Sequence, residues 1–282
     1  MPSLTVEADT RTPLKVTGEE RSVVRVGAVL IGAGRPVVMA GPCSVESYEQ
    51  TLATAKAVKA AGAVILRGGA YKPRTSPYDF QGLGVEGLHI MARVRAETGL
   101  PIVSEVLSTD DIEVVAEHVD MLQVGARNMQ NFALLRRLGQ TSKSVLLKRN
   151  PAATVKEWLL AAEYVLAGGN DQVVLCERGI RSYDPELRNT LDLAGMALAR
   201  QLSHLPVIAD PSHGTGRRDL IPAMSRAALA AGADGLIIEV HPDPATALSD
   251  GKQSLDFPAF ASLMNVLFPS TVTMTELSLA TV

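Results

Sequence analysis

The chain has little of what most non-catalytic readings require. Its 282 residues hold two cysteines, Cys43 and Cys176, too few for a disulfide scaffold. Aromatic residues make up 4% and the formal net charge is -3. A nucleic-acid or membrane surface needs a basic patch interleaved with aromatics, so neither partner is expected. No apolar run approaches the length of a membrane span. The opening MPSLTVEADTRT carries acids and lacks the apolar stretch of a signal peptide. A cytoplasmic protein that meets small molecules is the expectation.

What the chain does have is apolar residues, 46% of the total, arranged in a rhythm. Residues 1–22 are polar and aperiodic and read as a flexible arm. Val23 to Leu30 alternates around Gly27 ahead of Gly32-Ala33-Gly34, which predicts a short hairpin. Eight short apolar runs follow: VVMA (37–40), VIL (64–66), PIVSEV (101–106), MLQVG (121–125), VLLK (145–148), QVVLCE (172–177), PVIAD (206–210) and GLIIEV (235–240). Helical spacing fills the gaps, as in Leu52, Ala55, Val58, then Ile112, Val115, Ala116, then Phe132, Leu135, Leu138. Thr109-Asp110 and Thr154 offer N-caps, and Gly62, Gly99 and Gly139 offer helix ends. Buried parallel strands read as continuous apolar runs, so eight of them alternating with helices predict an α/β (β/α)8 TIM barrel. An open doubly wound sheet is the alternative, but no GxGxxG follows the first strand. The expected division is one catalytic barrel with its hairpin over 23–268, a Ser- and Thr-rich tail over 269–282, and no separate regulatory domain.

In such a barrel the C-terminal strand ends form the active face. Here those ends are polar: Cys43, Arg67 with Lys72, Glu105, Arg127, Lys148, Glu177 with Arg178, Asp210 with His213, and Glu239. The cations Arg67, Lys72, Arg74, Arg127, Lys148 and Arg178 would converge on one mouth, which suits a small ligand of several negative charges. Pairing with Glu105, Glu177 or Asp210 is the plainer alternative. Gly214-Thr215-Gly216-Arg217 offers a second phosphate loop after strand seven. Cys43 after strand one, His213 after strand seven and Glu239 at the end of strand eight become neighbours when the barrel closes, and Asp250 lies in the loop beyond. Thiolate, imidazole and two carboxylates suit one divalent ion of the Zn, Fe or Mn type. A packed cysteine and a hydrogen-bonded loop histidine are the alternatives. Cys176, inside a strand, reads as packing, and His89, His118 and His204 fall away from the mouth. Lys148 is open to two roles, a Schiff-base nucleophile or one more anion contact.

GPCSVES (41–47), LRGGAYKPRTSPYDFQGLG (66–84), VGARNMQN (124–131), LLKR (146–149), CERGIRSY (176–183), ADPSHGTGRRD (209–219) and IEVHPDPATALSDGKQSLD (238–256) together resemble the type I beta group of 3-deoxy-D-arabino-heptulosonate 7-phosphate (DAHP) synthases. The resemblance runs from about Val23 to Leu267. It implies condensation of phosphoenolpyruvate with erythrose 4-phosphate at the head of aromatic amino-acid biosynthesis, the shikimate pathway leading to chorismate. It implies a divalent metal (Mn, Fe, Zn or Co) on Cys43, His213, Glu239 and Asp250, with Asp210 orienting His213. Phosphoenolpyruvate would lie on Arg67, Lys72, Arg127, Lys148 and Arg178, which takes Lys148 from the Schiff-base role. Arg74 and Thr75 would take the aldehyde's phosphate. Lys72 would donate a proton to the nascent alkoxide, and Glu105 would handle the proton of water. The related KDO 8-phosphate synthases, which use arabinose 5-phosphate, usually resemble KANRSS where KPRTSP stands here, so the loop speaks against that alternative. The family also implies a homotetramer or dimer. Without an appended domain, little direct feedback inhibition by aromatic amino acids is expected, while a separate chorismate mutase remains available as a partner in trans.

Overall fold

The computed structural model describes residues 15–18, 20–74 and 76–269. Two strands, β1 (Val24–Val26) and β2 (Val29–Ile31), form an antiparallel ribbon. Strands and helices then alternate: β3 (Val37–Gly41), α1 (Tyr48–Ala60), β4 (Ile65–Arg67), α2 (Val85–Thr98), β5 (Ile102–Val106), α3 (Ile112–His118), β6 (Met121–Val124), α4 (Phe132–Leu138) and β7 (Ser144–Lys148). The second half continues as α5 (Val155–Ala167), β8 (Val173–Glu177), α6 (Leu193–Leu202), β9 (Val207–Ala209), α7 (Pro211–Thr215), α8 (Ile221–Ala230), β10 (Gly235–Glu239) and α9 (Phe257–Leu267). Each of the eight apolar runs is a strand of one closed parallel barrel, ordered β10-β3-β4-β5-β6-β7-β8-β9. Closure brings Glu239 opposite Gly41 and Leu236 opposite Ala209, so β9, β10 and β3 are consecutive, as the candidate metal site requires.

The runs are continuous because both strand faces are buried. Along β3, Val37 and Met39 point into the barrel while Val38 and Ala40 meet the helices. The interior cluster is apolar and includes Cys176, which packs as expected. Val24, Val26 and Ile31 of the ribbon join that cluster and stopper the N-terminal end of the barrel. No helix among the described residues is long and apolar enough to cross a membrane.

The helix caps follow the sequence in part. Thr154 and Glu157 form a full capping box at α5, and Gly99 ends α2 in the left-handed region at φ 72. Gly139 ends α4 with φ -60, and Gly62, at φ 102, stands one residue past the cap of α1. Thr109-Asp110 does not cap α3. The cap is Asp111, and its carboxylate turns back to accept from the backbone and hydroxyl of Ser108 instead of from the helix.

Candidate active site

The C-terminal strand ends surround a cavity of about 540 Å³. Arg67, Lys72, Arg74, Arg127, Lys148 and Arg178 all line it, as expected, and Arg181 and Arg188 join them. Thr75 lies outside the described residues. The cations divide by partner. Arg67 Nη1 lies 3.0 Å from Glu239 Oε1 and donates to Pro42 O at 2.8 Å, while its buried Nε has no hydrogen-bond partner. Lys148 Nζ lies 2.6 Å from Asp210 Oδ2, whereas Arg74 Nη2 lies 3.4 Å from Asp79 Oδ2, also on the cavity wall. Arg127 donates to Pro73 O at 3.3 Å, which ties it to the loop after β4. The expected partner Glu177 belongs to another network, because its carboxylate faces Arg149 at 2.9 Å behind the cavity wall.

Next to the cations stands a donor cluster. The ligand atoms of Cys43, Glu239 and Asp250 lie within 4.8 Å of one another. His213 Nε2 adjoins them, 3.4 Å from Glu239 Oε1 and 3.7 Å from Asp250 Oδ2. The local fold explains His213's aim. Asp210 caps α7 by accepting from the His213 backbone at 2.9 Å, and its Oδ2 lies 2.8 Å from His213 Nδ1, which leaves Nε2 for the cluster. Asp250 holds φ 49, the left-handed conformation that short polar side chains tolerate. Lys72 Nζ lies 2.9 Å from Cys43 Sγ and 3.2 Å from its carbonyl oxygen.

Burial and charge set the ionisation here. Burial, aided by the Glu239 carboxylate, pushes the Cys43 thiol up to about 12. Burial also opposes the charge on Asp210, yet His213 and Lys148 outweigh it and hold the carboxyl well below its ordinary value. Glu239 behaves alike, with His213 and Arg67 overcoming its desolvation. For Arg178 desolvation wins over the attraction of Asp210, so its affinity for a proton falls.

Glu105 occupies the cavity wall between strands. Gln123 Nε2 donates to its Oε2 at 3.1 Å, and a Cβ placed on Gly125 would sit 2.0 Å from its Oε1. Glycine at 125 is therefore what gives the carboxylate room. The stretch from Gly214 to Arg217 is not a phosphate loop. Gly214 N donates to Asp210 O at 2.9 Å, Gly216 N to Ser212 O at 3.1 Å and Arg217 N to Thr215 Oγ1 at 3.3 Å, while the Arg217 guanidinium pairs with Asp219. His89 and His118 meet with their rings tilted by 52°, and His204 bonds Ser22, all away from the cavity.

The model of the DAHP synthetase I family matches residues 11–275. The chain belongs to the DAHP synthetase I family. Within that family's reach, the phospho-2-dehydro-3-deoxyheptonate aldolase of Thermotoga maritima is 52% identical over 245 residues, which are 87% of this chain and 72% of the relative. The crystal structure of DAHP synthase from that organism superposes with a TM-score of 0.85 at 51% identity, covering 88% of this chain and 73% of the other. A truncated form of 3-deoxy-D-arabino-heptulosonate 7-phosphate synthase from the same organism gives 0.82 at 47% identity and is covered over 91% of its length. The 2-dehydro-3-deoxyphosphooctonate aldolase of Syntrophotalea carbinolica stands further off, at 36% identity over 82% of this chain and 90% of the relative.

In this DAHP synthetase I family member, several cavity residues were given no role from the sequence, Arg181 among them although it lies in the motif CERGIRSY. Arg181, Arg188 and Asn189 come from the irregular segment between β8 and α6, where no periodicity marks direction. Asn150 donates to Ala126 O at 3.1 Å and so holds the turn that presents Arg127. Gln123 lies inside the apolar run MLQVG, where only the fold reveals that its amide meets the Glu105 carboxylate.

Proposed function

We propose that the chain is a metal-dependent DAHP synthase, condensing phosphoenolpyruvate with D-erythrose 4-phosphate and water to give DAHP and inorganic phosphate. The observation that carries the reading is a single cavity in which buried cations adjoin a thiol, an imidazole and two carboxylates. The donor set fits a divalent ion of the Mn, Fe, Zn or Co type: it mixes soft and hard ligands, and the His213 tautomer is fixed from behind by Asp210. Cys43, His213, Glu239 and Asp250 would hold that ion, which supplies a Lewis acid for the aldehyde oxygen.

The remaining roles belong to the side chains. Arg67, Lys72, Arg127, Lys148 and Arg178 hold the phosphate and carboxylate of phosphoenolpyruvate, and Arg67 Nε offers a donor that no protein group uses. Arg74 and Thr75 receive the phosphate of the aldehyde. Held together, the enol carbon C3 of phosphoenolpyruvate bonds to the aldehyde carbon, and Lys72 gives a proton to the aldehyde oxygen. C2 is left electron-poor and takes up water, whose proton Glu105 accepts. The C2–O bond to phosphate then breaks with its electron pair on phosphate, which takes up the remaining hydroxyl proton, leaving the C2 carbonyl of the product. Lys148, engaged by Asp210, serves as an anion contact and not as a Schiff-base nucleophile.

The reading carries further expectations with it. Residues 23–268 act as the catalytic unit with a tail over 269–282, while the expected flexible arm over 1–22 is docked on the barrel in its described part, where Val16 is fully buried in the core and Arg21 pairs with Asp234 at 2.8 Å. The chain works in the cytoplasm, in keeping with its two free cysteines, as a homodimer or homotetramer that a separate chorismate mutase regulates in trans. The deciding experiment measures phosphoenolpyruvate consumption with erythrose 4-phosphate and with arabinose 5-phosphate, each with and without chelator. Chelator-sensitive turnover of the four-carbon aldehyde is expected. Preference for the five-carbon aldehyde would replace the reading with a KDO 8-phosphate synthase, and consumption without any aldehyde would end both.

A further inference from the structure

The two carboxylates of the donor cluster are braced by two side chains to which the sequence assigns no role: Gln253, inside the motif 238–256, and Arg188, outside every motif. Gln253 is buried, and it donates Nε2 to Glu239 Oε2 at 2.6 Å. Its Oε1 accepts from Arg188 Nη1 at 2.9 Å, and the same Nη1 lies 3.2 Å from Asp250 Oδ1. Glu239, Gln253, Arg188 and Asp250 thus form one connected chain. The amide orientation follows from its partners, since a carboxylate only accepts and a guanidinium only donates. Among side chains of this length, an amide alone meets both demands.

Each carboxylate is divided between two tasks. Glu239 Oε2 takes the brace, while Oε1 faces His213 Nε2 at 3.4 Å. Asp250 Oδ1 takes the brace, while Oδ2 faces Cys43 Sγ at 3.3 Å. The backbone supports the same division. Asp250 precedes a single 3-10 turn over Gly251–Gln253, and Gln253 N donates back to Asp250 O at 3.2 Å, so both side chains leave one short turn. A Cβ on Gly251 would lie 2.1 Å from Pro244 O, which leaves that turn no room to drift.

We propose that Gln253 and Arg188 are positioning residues that act as one brace, fixing the outer oxygens of Glu239 and Asp250 and thereby setting the affinity of the four-donor site for its divalent cation. The inference rests on the reading of Cys43, His213, Glu239 and Asp250 as metal ligands. Outer contacts of this kind hold ligand oxygens in place before the ion arrives, and their loss typically costs about 10- to 100-fold in affinity.

The test titrates Co(II) into metal-free protein and follows the thiolate-to-cobalt absorption band, a signature that requires Cys43 as a ligand. Gln253→Met, of similar length without polar atoms, and Arg188→Met should each weaken Co(II) binding about 10- to 100-fold. The double variant should lose less than the product of the two single losses, because either change already breaks the brace. Arg188 has a side chain 39% exposed, so its variant keeps the test available if Gln253→Met does not fold. Wild-type affinity in Arg188→Met, or single penalties that multiply in the double variant, overturns the proposal. Absence of the band from wild-type protein instead overturns the metal reading itself, and the brace falls with it.

Discussion

The two ends of the barrel use the same eight strands and carry opposite chemistry. At the N-terminal end the hairpin sets Val24, Val26 and Ile31 against Met39, Ile65 and Met121, and all six are fully buried. At the C-terminal end Arg67, Lys72, Lys148, Arg178, Asp210 and Glu239 are buried as well. Apolar burial stabilises by roughly 25 cal/mol per Å². Removing an ion from water costs several kcal/mol, which pairing offsets only when the geometry is good. The comparison teaches that one end supplies stability and the other spends structure on function, so the same kind of substitution should read out differently at each.

The largest effect belongs to the polar end. Chelation, or Cys43→Ala, should lower the rate of DAHP formation on the order of a thousandfold, the loss of several kcal/mol of charge stabilisation, with Mn(II) restoring the chelated enzyme but not the variant. Full activity after rigorous metal removal would break the contrast at its root. Asp210→Asn comes next: it leaves Lys148 without its carboxylate and should cost about 3–5 kcal/mol in urea unfolding. The same residue predicts a pH profile. Its folded-state pKa lies well below the ordinary 3.8, so the stability it contributes is complete above that value and is lost as pH falls from about 4 toward the folded value. Melting temperatures measured from pH 6 downward should fall less steeply in the asparagine variant.

At the apolar end, Ile31→Ala should cost about 2–5 kcal/mol in stability while leaving the KM values for both substrates within about twofold of wild type. A change in substrate affinity from that distance would show the ends to be coupled. The smallest effect is expected outside the barrel, where Thr154→Ala removes the capping box of α5 for about 1 kcal/mol, visible in the unfolding midpoint and silent in kinetics.

The sequence exposed most of the fold because the barrel strands are buried on both faces and so appear as unbroken apolar runs, from VVMA to GLIIEV. It exposed the charged part of the site for a related reason. A Cys, His, Glu or Arg closing such a run has no structural need to be there, and Arg67, Lys148 and Glu239 stand out on that ground alone. Gln253 and Gln123 carry no such mark, since an amide is ordinary on any surface and gains meaning only from the carboxylate facing it. Arg188 was hidden by its segment, whose course between β8 and α6 follows no period. Thr109-Asp110 misled because a cap depends on which way one carboxylate turns, and Asp111 turns toward Ser108.

The hairpin stopper has a consequence for traffic. A barrel closed below has one doorway, and molecules bound in it must queue. Arg67 and Lys148 lie at buried positions, while Arg74 stands nearer the threshold with its side chain 23% exposed. All three line the same cavity, Arg74 as its more exposed member. If the proposed sites are right, initial-rate kinetics should show ordered binding, with the inner guest arriving first.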